Sequence, residues 1–159
     1  MKKNFGILLV FMVSAFAFAQ SSQKLGITGK ECKTVIKSVE KIELDLKQLD
    51  KDDANYLQNC SAVLNKYGIK GDAAYKKYET ILNAAAAYAL TVPFENLSPE
   101  NKAILDNARE NDPVSYDFFM SMVKDSEDVL AKIHPEDKKV LDQNKYELLE
   151  VCDRLAAVK

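Results

Sequence analysis

The chain contains few of the residues on which many folds and reaction sites depend. Among its 159 residues it has no tryptophan, one histidine, three cysteines, four prolines and five glycines. The scarcity of glycine and proline excludes an all-β fold with many turns and a low-complexity chain, and three cysteines are too few for a disulfide-built miniprotein. The formal charge of −2 lacks the basic excess of a nucleic-acid-binding protein, so we expect no nucleic-acid partner.

The first residues have the pattern of a signal peptide. Two lysines precede the apolar run Phe5–Val13, and Ala-Phe-Ala at 17–19 fits a cleavage site. The apolar run is too short to cross a bilayer comfortably, and no later stretch is long enough to do so. We therefore predict that residues 1–19 are removed as a signal peptide. Because this segment holds two lysines and no acid, the secreted mature protein would have 140 residues and a formal charge of −4. It would be extracellular, or periplasmic if the source is a Gram-negative bacterium.

After the signal peptide the sequence is typical of a helical bundle. Residues 20–29 are polar and include two glycines, which predicts a flexible N-terminal lead-in. In residues 30–159 apolar side chains recur at steps of three and four, and no segment shows sustained strand alternation. The alanines at 84–87 favour a central helix with close neighbours, which Pro93 should interrupt. We predict one all-α domain, residues 30–159, built as a bundle of five or six helices.

Three segments share the features of a helix start. Asp50, Ser98 and His134 each follow an apolar residue and precede acidic residues, and the last two are followed directly by proline. An aspartate or serine at such a position accepts a hydrogen bond from an unpaired backbone N–H, and proline suits the first helical residue. The three segments either are independent helix caps or derive from an old duplication of a helix-hairpin unit.

The residues that catalysis and metal binding require are scarce or wrongly spaced. A single histidine, His134, excludes histidine-rich zinc sites, and Ala131 stands where a di-iron bundle site would need glutamate. A haem held by His134 with Met120 or Met122 is a further pattern, but a helix cap or surface position suits this histidine better. The sequence has no Gly-x-Ser-x-Gly turn and no glycine-rich phosphate loop. We therefore predict no enzyme activity, no catalytic or metal-ligating residue and no cofactor.

The cysteines lie on the apolar faces of predicted helices. In an oxidising compartment three thiols allow one disulfide and one spare thiol. In a straight hairpin of the first two helices, Cys32 and Cys60 would be offset by roughly 16 Å along the axis, well beyond the roughly 7 Å that a disulfide allows between Cα atoms. A bridge between Cys32 and Cys152 is favoured over one between Cys60 and Cys152, and three buried free thiols are the alternative.

Apolar side chains are concentrated between the fourth and fifth predicted helices. The candidate ligand-binding residues are Phe94, Phe118, Phe119, Met122 and Val123. From residue 118 to residue 122 only Ser121 is polar, so the helix is apolar on more than one face. Such a helix is either fully enclosed or lines a site for a hydrophobic ligand or partner, and methionine adapts to ligands of different shape.

We therefore predict a monomeric, secreted, non-enzymatic binding protein for a lipid-like or other hydrophobic small molecule. The alternative is a secreted interaction protein, such as an inhibitor, immunity or antigen-like factor, that acts through its surface and has no small-molecule ligand.

The segments 94–102 (FENLSPENK), 116–122 (YDFFMSM) and 133–138 (IHPEDK) carry a resemblance to known proteins. Their pattern resembles two groups of secreted nematode proteins, the fatty-acid- and retinol-binding proteins and the SXP-type antigens. Those proteins are also small, exported, all-helical and rich in Leu-Ser/Thr-Pro-Glu helix starts. The resemblance implies binding of a hydrophobic small molecule, or an antigen of unclear role. It assigns no site residue by an exact motif, and the three inward cysteines fit neither group.

Overall fold

The structure, a computed structural model, describes residues 23–95 and 97–157. Within these residues there are seven helices and no strand: α1 (Gly29–Lys47), α2 (Tyr56–Tyr67), α3 (Ala74–Glu95), α4 (Pro99–Asn111), α5 (Pro113–Ala131), α6 (Pro135–Gln143) and α7 (Lys145–Ala157). The predicted all-α class is therefore confirmed, with seven described helices in place of five or six. The predicted signal peptide lies outside the described residues.

Helix α3 occupies the centre of the bundle and packs against α1, α2, α5 and α7. Three of its alanines, Ala84, Ala85 and Ala87, are buried, and their small side chains let neighbouring helices approach closely. The predicted interruption at Pro93 is wrong, because α3 continues to Glu95. Pro93 lies in the last turn, so its missing N–H removes one intrahelical bond close to the end of the helix and does not break it.

The last predicted helix is in fact two helices, α6 and α7, separated by Asn144. The backbone N–H of Asn144 donates to the carbonyl of Leu141 at 2.9 Å, and its side-chain amide donates to the carbonyl of Val140 at 2.7 Å. These bonds satisfy carbonyl oxygens at the end of α6, and Leu148 and Val151 of α7 then lie in the core. Periodicity alone does not reveal this junction, because the apolar spacing runs through it.

The three predicted helix starts have different outcomes. The Ser98 hydroxyl accepts a backbone N–H of α4 at 3.2 Å, and Nδ1 of His134 accepts one of α6 at 3.3 Å. Asp50 instead accepts a backbone N–H within a turn at 3.0 Å, and α2 begins only at Tyr56. Ser98 and His134 differ from Asp50 in the proline that follows them, which fixes the backbone of the first helical residue.

All three cysteines of the chain are free thiols in the structure, so the predicted bridge between Cys32 and Cys152 is not formed there. Helices α1 and α7, which carry these two residues, do pack together. Burial raises the pKa of Cys32 and of Cys152 to about 11. Both thiols therefore stay protonated at neutral pH and lack the thiolate form that disulfide formation requires.

Part of the predicted flexible lead-in is fixed in place. Leu25 and Ile27 each donate a backbone N–H to the carboxylate of Asp137 in the first turn of α6, at 2.6 and 2.7 Å. The side chain of Ile27 is buried in the core. The local composition of residues 20–29 predicted flexibility because the carboxylate that holds Ile27 lies 110 residues further along the chain.

Candidate ligand-binding site

Most of the predicted ligand-binding residues lie where the end of α3 meets α5. The rings of Phe94 on α3 and Phe119 on α5 form a tilted pair, with centroids 5.4 Å apart and planes at 39°. Val123, one turn after Phe119, is buried on the same face of α5. The structure therefore brings Phe94, Phe119 and Val123 to the contact between these two helices.

Phe118 lies on a different face of α5. Consecutive residues of an α-helix are separated by about 100° around the axis, so Phe118 and Phe119 point in different directions. The side chain of Phe118 is 56% exposed, and Val114, one turn earlier on the same face, is 79% exposed. Met122, one turn after Phe118, is half-buried. Helix α5 thus has one apolar face against α3 and a second one that faces solvent.

Helix α4 packs mainly against α5 and buries no residue. Ile104 is 66% exposed, whereas Leu105 and Ala108 are half-buried. We call α4 together with residues 113–122 of α5 the α4–α5 hairpin. Because its apolar side chains are only partly covered, the hairpin is the least buried helical part of the described structure.

Hydrogen bonds at the turn define the shape of this hairpin. Asp112 links the two helices: its N–H donates to the carbonyl of Ala108 at 2.8 Å, and its carboxylate accepts the N–H of Ser115 at 3.2 Å. Hydrogen bonding from Ser115 also lowers the pKa of Asp112. Asp112 therefore ends one helix and caps the next, which keeps the turn between them short.

No charged side chain is buried between residues 99 and 124, all of which the structure describes. Arg109 and Lys124, the cations nearest in sequence to the predicted site, are exposed. A buried cation would be needed to fix the carboxylate of a fatty acid inside a pocket. The site therefore offers apolar contact and the adaptable side chain of Met122, with no fixed charge.

A separate groove of about 460 Å³ lies between the end of α5 and α6. It is lined by Ala131, Ile133, Pro135, Lys138, Lys139, Asp142 and Gln143. Lys138 pairs with Asp142 at 2.7 Å, and the hydroxyl of Tyr88 donates to the same carboxylate at 2.6 Å. Burial is the largest influence on the pKa of Asp142 and raises it, but the bonds from Lys138 and Tyr88 outweigh it and the pKa is lowered. None of the predicted ligand-binding residues lines this groove.

Two buried carboxylates were not predicted from the sequence. Glu31 pairs with the ammonium group of Lys77 at 2.9 Å and accepts the backbone N–H of Lys70 at 3.1 Å. Asp137 accepts the two N–H groups described above. The available sequence signal for Glu31 was the capping box, in which Thr28 stands three residues before it. Asp137 carried no such signal, because acids are common in the first turn of any helix.

None of the described helices is both long and apolar enough to span a bilayer. In the same part of the chain, no group of three or more histidine, cysteine, aspartate or glutamate side chains is placed to hold a metal ion. The chemistry that the described site residues support is apolar contact.

The chain matches no protein-family model, and no curated protein or solved structure is significantly similar to it. The resemblance to the secreted nematode proteins therefore stays a prediction.

Proposed function

We propose that the chain is an exported, non-enzymatic binding protein that takes up a lipid-like or other hydrophobic small molecule at the α4–α5 hairpin. The observation that carries the proposal is the pair of consecutive phenylalanines on α5. Phe119 meets Phe94 of α3, whereas Phe118 is largely exposed. A helix that served only the core would need one apolar face. The second face, extended by Val114 and Met122, supplies surface for a hydrophobic ligand.

The charges around the hairpin favour a ligand whose contacting part is uncharged. Charged side chains from residue 99 to residue 124 are all at the surface, and an ionised group enclosed without a partner would lose its hydration. A ligand with an anionic head group would therefore keep that group in water, where Arg109 or Lys124 could meet it. The apolar part of the ligand would contact α5.

Helix α4 supports a way for such a ligand to enter. Because α4 buries no residue, moving it away from α5 exposes little apolar area and costs correspondingly little free energy. Leu105 and Ala108, which are half-buried, are the apolar side chains of α4 that this movement would transfer to water. Displacement of α4 would open the apolar surface of α5 while the core around α3 stays intact.

Titration of a fluorescent fatty-acid analogue into the purified protein tests the proposal. We expect saturable binding, competition by unlabelled lipid, and a one-to-one complex in native mass spectrometry. Phe118→Ser should weaken binding by about tenfold and leave the Tm unchanged, because this side chain is already exposed. Leu57→Ser, which alters an apolar residue of α2 that is 62% exposed, is the matched control. Absence of saturable binding, or an equal loss in the control, would contradict the proposal.

The same exposure favours a second candidate, an interaction protein with no small-molecule ligand. Ile104, Val114 and Phe118 are each more than half exposed, and a patch of exposed apolar side chains is typical of a docking surface for another protein. An inhibitor, immunity or antigen-like factor would use the hairpin directly. Native mass spectrometry of protein purified from its own source separates the two candidates: a co-purifying lipid supports the first, whereas ligand-free protein in a Phe118-dependent complex with another protein supports the second.

A further inference from the structure

Residues Lys24–Thr28 form a non-helical segment, here called the strap, that crosses the first turn of α6. The N–H of Leu25 donates to Oδ2 of Asp137 at 2.6 Å, and the N–H of Ile27 donates to Oδ1 at 2.7 Å. Asp137 is only 2% exposed. Both oxygens of one buried carboxylate are thus committed to the strap.

The two ends of the strap also meet carboxylates. The ammonium group of Lys24 pairs with Glu136, the residue before the central anchor on α6. The N–H and the hydroxyl of Thr28 both donate to Oε2 of Glu31 at 2.9 Å. Three carboxylates, two on α6 and one on α1, therefore accept hydrogen bonds from this short segment.

Glu31 connects the strap to the interior of the bundle. Its Oε1 accepts hydrogen bonds from the ammonium group of Lys77 on α3 and from the N–H of Lys70. Burial is the largest single influence on the pKa of Glu31 and raises it, but the hydrogen bonds from Lys77, Lys70 and Thr28 together outweigh it, so that the pKa lies below its usual value. The carboxylate is therefore charged at neutral pH.

Apolar contact at the strap is narrow. Ile27 is 4% exposed and Leu25 is half-buried against the core. Between them Gly26 has a φ of +69°, a backbone conformation that glycine adopts without strain, and its surroundings are open. Two apolar side chains and three charged acceptors thus make up most of the attachment.

The charged and titratable groups that face these carboxylates are Lys24 on the strap, Lys77 on α3, His134 at the start of α6 and the thiol of Cys32 beside Glu31. The hydrogen bond and the charge of Lys24 lower the pKa of Glu136, with a smaller effect of His134 in the same direction. The two lysines keep their charge in acid and His134 gains one. A fall in pH therefore removes charge from the carboxylates alone.

We propose that the strap is an acid-released latch, closed while these carboxylates are charged and open once they take up protons, with the helices still folded. A charged carboxylate is a much stronger acceptor than a neutral carboxyl group, so protonation weakens the bonds to all of the strap. The pKa values of Glu31 and Glu136 lie below the ordinary value of 4.5. Their stabilisation of the closed strap is therefore complete above that pH and is lost as the pH falls through the lower values of the folded state.

Amide hydrogen exchange, measured residue by residue by NMR at pH 6 and pH 3.5, tests the latch. Protection factors correct for the pH dependence of intrinsic exchange, and Ala85 in α3 is the core reference. We expect Leu25 and Ile27 to lose protection by about tenfold or more at pH 3.5 while Ala85 stays protected. Simultaneous loss at all three amides would show global unfolding, and unchanged protection of the strap would show that charge does not hold it. Either result overturns the proposal.

Asp137→Asn tests the central anchor at neutral pH. An asparagine amide accepts at one atom and presents an NH₂ group to the other strap N–H, so Leu25 and Ile27 should already be unprotected at pH 6. Asp125→Asn, which alters an exposed carboxylate on α5, is the control and should behave as the wild type. Wild-type protection in Asp137→Asn would overturn the proposal.

A second variant covers the case in which Asp137→Asn does not fold. Glu136→Gln removes only the exposed pair with Lys24 and should shift the opening of the strap to a higher pH, because one of three charged acceptors is lost. An unchanged midpoint of opening in this variant counts against the latch.

Discussion

The strap and the α4–α5 hairpin are attached to the same bundle by opposite kinds of contact. The strap is held by short, directed hydrogen bonds to the buried carboxylates of Glu31 and Asp137. The hairpin rests on partly covered apolar side chains, and α4 buries none of its residues. A buried charge allows one arrangement, since any shift leaves it unpaired, whereas apolar contact has no preferred direction. The bundle thus combines one region of fixed geometry with one that can adapt to a ligand.

Removal of Glu31 should have the largest effect on this difference. Glu31→Ala leaves the ammonium group of Lys77 buried without its counter-charge, and we expect a loss of about 3–5 kcal/mol in the free energy of unfolding. Urea titration measures it. Glu100→Ala, at an exposed position of α4, should change stability by less than about 0.5 kcal/mol. Equal effects of the two variants would mean that the ion pair does not set the strap apart from the hairpin.

The effect of Glu31 should also depend on pH in a known direction. Its folded-state pKa lies below 4.5, so the stabilisation is present above that pH and falls as the pH decreases through the folded-state value. Glu31→Gln should therefore lose stability relative to the wild type at pH 7, with a smaller difference at pH 3.5. Urea midpoints at the two pH values measure it, and a difference that does not shrink in acid would contradict the assignment.

Phe119→Ala should have an intermediate effect. The variant removes the ring that contacts Phe94, and because Phe119 is half-buried we expect about 2 kcal/mol, less than the loss for a fully buried phenylalanine. Phe118→Ala alters the adjacent residue on the exposed face and should cost less than about 0.5 kcal/mol. Thermal unfolding of the pair measures the contrast. Similar losses would show that α5 does not have two distinct apolar faces.

Loss of the Ser98 cap should have the smallest effect on global stability. Ser98→Ala removes a hydrogen bond to the N–H of Asn101 and should weaken α4 locally by about 1 kcal/mol. Because α4 buries no residue, we expect faster amide exchange in residues 99–111 with an unchanged urea midpoint. Ser121→Ala, at an exposed position of α5, should change neither. A lower midpoint for Ser98→Ala would show that the hairpin is coupled to the core.

Local patterns predicted the elements better than their limits. Spacing of apolar residues predicted the helices, and the alanines at 84–87 predicted the central place of α3. Pro93 was misjudged because a proline in the last turn of a helix costs little, and Asn144 was missed because the apolar spacing continues across it. Local patterns show which residues can form a helix, but the packing of that helix decides where it ends.

The candidate site was predicted in the same partial way. The concentration of apolar residues in the sequence singled out Phe94, Phe118, Phe119, Met122 and Val123 together. Their separation into a face against α3 and a face in solvent follows from the position of α5 beside α3, since two consecutive helical residues cannot both face the same neighbour. The sequence therefore indicated an apolar excess, and the fold showed which part of it remains exposed.

The sequence by itself determined the all-helical class, the central helix and the caps at Ser98 and His134, because these depend on residues within one or two turns of each other. Only the tertiary structure decided the partners of Glu31 and Asp137. Lys77 lies 46 residues from Glu31, and Ile27 lies 110 residues from Asp137. In the sequence, an acid near a helix start has the same local pattern whether it is solvated or buried. Packing removes water from these two carboxylates, and the hydrogen bonds that must then replace it join distant parts of the chain.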